Sequence, residues 1–188
     1  MDYLKRTWAA VSLDNLNHNY HALREKIPTN CRFLGVVKAD AYGHGAVPVS
    51  RHLVELGAEY LAVSNIEEAV QLRRGGLRGP ILILGYTPPF YAEDLAAMNL
   101  RQEVHSLEYA KHLNDRLSGT KRRIRVHLKL DTGMSRLGFF AYDHPQTVEE
   151  IRQVAQLEHL LIEGVFTHFP VADSTAPADA EFTRTQFA

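Results

Sequence analysis

The residues whose types and spacing could do chemistry cluster first between Cys31 and Gly45, in CRFLGVVKADAYGHG. An apolar run from Phe33 to Val37 ends at Lys38, and a tight polar turn, Ala39-Asp40-Ala41-Tyr42-Gly43-His44-Gly45, follows it. The run is short and lacks polar alternation, as expected of a strand buried on both faces. Helical patterns flank it, which points to a βα unit. Lys38 therefore stands where a buried parallel strand exits, the face at which α/β folds keep their ligands. A lysine amine partly withdrawn from water is a usable nucleophile. A solvated surface charge is the plainer role for a lysine at a strand end, and residue pattern alone favours it. Gly43 and Gly45 permit positive φ or a close backbone approach.

Two more polar stretches follow apolar runs. Asp131-Thr132-Gly133-Met134-Ser135-Arg136-Leu137-Gly138-Phe139 follows residues 124–130, and Thr167-His168-Phe169-Pro170-Val171-Ala172-Asp173 follows residues 160–166. The elements that must position these stretches are strands at 31–37, 60–63, 81–84, 101–104 (the weakest), 124–130 and 160–166. Between them lie helical patterns. Asp14 reads as the N-cap of a helix carrying Leu16, Tyr20, Leu23 and Ile27 before Pro28. Residues 46–56 form the helix after the glycine turn. Ser64-Asn65-Ile66-Glu67 reads as a capping box opening the next. Further helices are expected at 91–98, from Ser106 to about 117, at 145–155 and from 178 onward. Residues 7–13 alternate loosely and read as an additional strand. The order implies an α/β fold of parallel strands. The polar stretches fall after the first, third, fifth and sixth strands. That is the layout of an incomplete (β/α)8 barrel of about six βα units, since a complete barrel has eight and typically ~250 residues.

Composition narrows the classes. The chain has 188 residues, 45% hydrophobic and 23% charged, as for one globular domain. Lys and Arg number 21 against 22 Asp and Glu, so no charge excess favours nucleic acid or an anionic membrane. The lone Cys31 excludes an internal disulfide and suits a reducing cytoplasm. The N-terminal stretch lacks the apolar core of a signal peptide, and no run reaches the ~18 apolar residues of a membrane span. No pair of the ten histidines has convincing metal-ligand spacing, so no metal is expected.

The stretch from Val37 to Gly45 resembles the pyridoxal-phosphate lysine motif of alanine racemases. In that family the lysine forms the internal Schiff base, and the tyrosine four residues on binds the cofactor phosphate. These roles fall on Lys38 and Tyr42. Lys129-Leu130-Asp131-Thr132-Gly133-Met134-Ser135-Arg136-Leu137-Gly138 resembles the family's second signature. Its arginine hydrogen-bonds the cofactor's phenolic oxygen and lies near the substrate carboxylate, a role that falls on Arg136, although an ordinary surface ion pair stays open. In many members the lysine seven residues earlier is carbamylated and holds that arginine. Lys129 occupies this position, with an unmodified lysine as the competing state. Phe166-Thr167-His168-Phe169 resembles the family's histidine segment, so His168 would support the catalytic tyrosine of the opposite face. Leu84 and Tyr86, after the third strand, are candidates for lining the pocket, with core and loop roles equally open. The three motifs occur in family order, and the likeness spans essentially all 188 residues.

The resemblance implies a pyridoxal-phosphate-dependent interconversion of L- and D-alanine, supplying D-alanine for peptidoglycan precursors. Lys38 would serve one face of the substrate. In the family the other face is served by a tyrosine of a C-terminal β-domain, delivered by the partner of a homodimer. Residues 1–188 correspond to the N-terminal, cofactor-binding barrel part, without the last two strands and that β-domain. Alone they are expected to be inactive, to bind the cofactor weakly and to self-associate through open sheet edges. Two alternatives remain. One is a serine or broad-specificity racemase of the same fold. The other is a non-catalytic, single-domain pyridoxal-phosphate-binding protein, whose lysine motif usually lacks the Ala-Tyr-Gly-His-Gly continuation.

Overall fold

The computed structural model describes residues 7–142 and 144–188. Among them it forms a parallel α/β fold of seven strands and eight helices. The chain divides into two compact units at Ile81. The first holds α1 (Leu13–Arg24), β1 (Leu34–Val36), α2 (Lys38–Gly43), α3 (Ala46–Glu55), β2 (Tyr60–Val63) and α4 (Ile66–Arg74), and β3 (Ile81–Ile83) crosses the boundary. The second holds a 3-10 turn (Pro89–Tyr91), α5 (Ala92–Ala97), β4 (Arg101–Val104), α6 (Leu107–Arg116), β5 (Ile124–Asp131), β6 (Phe139–Phe140), α7 (Gln146–Ala155), β7 (Leu160–Phe166) and α8 (Pro177–Phe187). No helix among the described residues is long and apolar enough to cross a membrane.

In the first unit, β1 and β2 pair in parallel with Leu34 opposite Tyr60 and Val36 opposite Ala62, and the Val37 amide continues the ladder to the Ala62 carbonyl at 2.8 Å. Val49 and Leu53 of α3, four residues apart, are buried, as are Ile66, Ala69 and Leu72 of α4. These are the apolar stripes that amphipathic helices turn inward. Three details depart from expectation. Residues 7–12 form no strand, and Leu13 opens α1 instead. The cap of α1 is Ser12, whose hydroxyl accepts the Asn15 amide at 3.2 Å, because Asp14 already lies inside the first turn. The cap of α4 is Asn65, and the glutamate that reaches back is Glu68. The capping box thus sits one residue later than read.

In the second unit, β4 is buried along its whole length although three of its four residues are polar. Buried polar groups need partners, and apart from the Gln102 Oε1 oxygen these have them. Arg101 Nε donates to Glu163 at 2.9 Å, and Gln102 donates to the Gly85 carbonyl at 2.8 Å. Both oxygens of Glu103 lie within 2.9 and 3.2 Å of His105 Nδ1. A β-bulge in β7 opposite Val126 and His127 leaves Glu163 as the extra residue. Its carboxylate takes both Arg101 and Arg125. Burial raises its pKa, but the two guanidinium groups outweigh that and hold it below the ordinary carboxylate value. The seventh strand, β6, was not expected. It is two residues long and pairs with the carboxyl end of β5.

Candidate active site

Lys38 is the second residue beyond β1, after Val37, at the carboxyl end of the strand, and is partly buried. The turn it opens is left-handed. Ala39, Asp40, Ala41 and Tyr42 have φ of 50°, 53°, 52° and 56°. Such a run costs roughly 1–2 kcal/mol per non-glycine residue, because Cβ crowds the following carbonyl oxygen. Several bonds hold it. The Ala41 amide donates to the Val37 carbonyl at 2.9 Å, and the Gly45 amide to the Asp40 carbonyl at 2.9 Å. Asp40 Oδ1 accepts the Ala46 amide at 2.7 Å, so it serves the first turn of α3 from outside that helix. Ala41 is buried, whereas Tyr42 is 61% exposed. One turn of backbone therefore carries a primary amine and an exposed phenol four residues apart. A cavity of about 470 Å³ beside α1 and β1 is lined by Tyr42, His44, Val36 and Val49 among others.

The second unit brings together Lys129, Asp131 and Arg136. Lys129, on β5, is 5% exposed. Its ammonium donates to the Leu130 carbonyl at 2.8 Å and lies 5.5 Å from the centre of the Phe166 ring. Burial pulls its pKa below the ordinary lysine value. Asp131 and Glu103 oppose that, and the Arg136 guanidinium adds to it. Asp131 organises the loop that follows, its Oδ1 accepting the amides of Gly133 at 2.9 Å and Ser135 at 3.0 Å. Burial raises the Asp131 pKa, but those amides and Lys129 outweigh it and keep the carboxyl below its usual range. The chain then returns to β5. Phe139 pairs with Leu130, Phe140 pairs with Asp131, and the Ala141 amide reaches the Asp131 carbonyl at 2.9 Å. Arg136 rides exposed on this closed loop.

His168 lies two residues beyond β7 and is exposed. Just before it, Thr167 donates to the Leu130 carbonyl at 3.0 Å and meets the Thr132 hydroxyl at 2.8 Å, tying the exits of β5 and β7. Leu84, directly after β3, is partly buried. Tyr86 belongs to an aromatic cluster that the sequence did not reveal. His105 stacks on Tyr109 at 4.8 Å, and Tyr86 packs on Tyr109 at 5.1 Å. The Tyr109 hydroxyl donates to the Thr87 carbonyl at 2.7 Å, and burial raises its pKa. The spacing of Glu103, His105 and Tyr109 was the available signal, since strand and helix periods put them at one strand exit. Among the described residues no group of three His, Cys, Asp or Glu side chains could hold a metal ion.

Residues 11–188 match the family described as alanine racemase, N-terminal domain. The chain is 40% identical over 184 residues to alanine racemase 1 of Clostridium acetobutylicum, covering 98% of this chain and 46% of that protein. The alanine racemase of Clostridium difficile 630 in complex with cycloserine superposes with a TM-score of 0.86 at 37% identity, over 93% of this chain and 48% of that one. The alanine racemase of Bacillus anthracis with bound L-Ala-P gives a TM-score of 0.90 at 31% identity, over 100% of this chain and 48% of that one. The chain thus spans about half the length of the curated relatives it matches.

Proposed function

The chain belongs to the alanine racemase N-terminal domain family, and from that premise we propose that it is the lysine-bearing part of a pyridoxal-phosphate-dependent racemase that interconverts L- and D-alanine. The observation that carries this reading is the turn after β1, which sets the Lys38 amine and the exposed Tyr42 phenol on one hydrogen-bonded turn. The donor set suits the cofactor. Lys38 offers an amine for its aldehyde, Tyr42 a hydroxyl for its phosphate and Arg136 a guanidinium for its phenolic oxygen. A Cβ built on Gly43 would meet nothing within 4 Å, so the outer side of the turn is open to a ligand. When bound, the cofactor ring supplies an electron sink for charge developing at the substrate α-carbon.

The chain's own residues then have distinct tasks. Lys38 Nζ holds the cofactor and moves the α-proton on one face. Tyr42 donates to the phosphate. Arg136 orients the phenolic oxygen and the substrate carboxylate, His168 supports the group that serves the other face, and Leu84 lines the pocket. The relatives' names support alanine as substrate. On the same reading racemisation belongs to the whole protein, its working form is a homodimer, and the setting is cytoplasmic. Adding pyridoxal phosphate to the purified chain is expected to give the absorbance band of lysine-bound cofactor, absent from Lys38→Ala. The same band in both proteins, or in neither, would overturn the assignment of Lys38 within this chain.

Lys129 is read as the residue that takes up carbon dioxide. Burial of its ammonium raises the share of neutral amine above that of an ordinary lysine. That amine attacks the carbon of CO2, a nitrogen–carbon bond forms as one C–O π pair moves onto oxygen, and one proton leaves to solvent. The resulting anion would pair with Arg136. Carbon-13 NMR of the folded protein in 13C-bicarbonate is expected to show addition of one CO2 as a carbamate carbon on Lys129. Addition that persists in Lys129→Ala, or none in the parent, would sink the idea.

A further inference from the structure

The left-handed turn cannot be explained by its own sequence. Ala39 and Ala41 have no preference for that conformation, and left-handed residues normally occur singly. The bonds within the turn begin at the Ala41 amide. The Ala39 amide, next in the chain to Lys38, has no acceptor inside the turn, as for the first amides of any helix. Glu68 supplies one. Its Oε1 accepts the Ala39 amide at 2.8 Å, and its Oε2 accepts the Ser64 amide at 2.7 Å. Glu68 sits in the first turn of α4, where a carboxylate is favoured, and its own amide is held by Asn65 Oδ1 at 2.9 Å. Ala39 follows β1 and Ser64 follows β2, two strands paired in register. One carboxylate therefore ties together the exits of two adjacent strands.

We propose that Glu68 is a positioning residue for Lys38, fixing the start of the left-handed turn and thereby the direction from which the Lys38 amine is presented. It touches neither the amine nor any reacting atom. Without it the Ala39 amide returns to water, residue 39 regains the right-handed region, and the turn unwinds from the end that bears Lys38. The idea rests on the reading of Lys38 as the reactive lysine, so the test has one arm that needs no cofactor.

The parent chain is compared with Glu68→Ala, Glu68→Gln and Glu59→Ala. Glu59 is the control, because its carboxylate accepts the Phe33 amide at 2.8 Å near the opposite end of β1. The cofactor-free readout is hydrogen exchange at the Ala41 amide. The second is borohydride trapping of pyridoxal phosphate on Lys38, quantified by peptide mass. Loss of a charge-assisted bond predicts, in Glu68→Ala, Ala41 exchange about tenfold faster or more and trapping lower by a similar factor. Glu68→Gln keeps one acceptor oxygen and falls between, and it carries the comparison should Glu68→Ala fail to fold. Glu59→Ala stays within about twofold of the parent on both readouts. Parent-like values in both Glu68 variants, or an equal change in Glu59→Ala, would overturn the proposal. If the parent traps no cofactor, the reading of Lys38 fails, while the exchange rates still judge Glu68.

Discussion

On the proposed function, replacing Lys38 with alanine is expected to lower alanine racemisation by the whole protein roughly 1,000-fold or more, within the range a general acid–base group supplies. Two losses would combine in that proposal, the proton carrier on one face and the amine that holds the cofactor. Stability is expected to change by no more than about 0.5 kcal/mol, because Lys38 lies outside the buried core. Lys38→Arg is the more telling variant. It keeps the charge and most of the length, yet a guanidinium does not give up its proton in proteins. If Lys38 serves only as a cation for the phosphate, arginine restores turnover; if it moves a proton, arginine is as inactive as alanine. Circular dichroism of alanine follows racemisation, and proton exchange in deuterium oxide reports each face. A variant that still exchanges the α-proton of one enantiomer, but does not racemise, is the expected signature of a lost single-face base. Turnover of Lys38→Arg within tenfold of the parent would remove Lys38 from the proton path.

Several elements were legible because their cause is local. The strands at Tyr60–Val63, Arg101–Val104 and Leu160–Phe166 fall where the residue pattern put them. Each is a short run bounded by turn residues, and that boundary is written in neighbouring side chains. What escaped was caused at a distance. Ser64…Glu67 and Asn65…Glu68 are both capping boxes by spacing, so sequence alone cannot choose between them. The second register prevails in the structure, and it lets Glu68 reach the Ala39 amide of another loop. β4 read as weak because Arg101, Gln102 and Glu103 are poor strand residues, and its burial depends on partners up to 62 residues away. β6 is too short to carry any period. Residues 7–12 have the alternation of a strand but pair with none among the described residues. Lys38, Tyr42, Lys129 and Arg136 were singled out through motifs, as the candidates on which the proposed function rests. The groups that support them were not, because Glu68, Asp131 and Glu103 act through folded contacts.

Gly138→Ala is expected to destabilise the protein by about 3–5 kcal/mol, the sum of a backbone term and a steric term of roughly 1–3 kcal/mol each. The φ of residue 138 is +131°, a region essentially reserved for glycine. A Cβ there would lie 2.7 Å from the Asp131 nitrogen and 2.8 Å from both the Leu130 carbonyl carbon and the Lys129 oxygen. These are backbone atoms of β5, which pairs with β4 and β7 on either side and cannot swing aside. The loop must give way instead. β6 then leaves β5, Asp131 loses its closure with Ala141, and Arg136 loses its fixed relation to Lys129. Gly119→Ala separates the two terms. Its φ is also positive, at +80°, but a Cβ there meets nothing within 4 Å, so only the backbone term of about 1 kcal/mol applies. Urea unfolding of both variants measures the difference. A Gly138→Ala loss well above that of Gly119→Ala assigns the remainder to contact with β5. Equal losses would mean that the loop relaxes freely, and that Arg136 does not depend on the approach of residue 138 to the strand carrying Lys129.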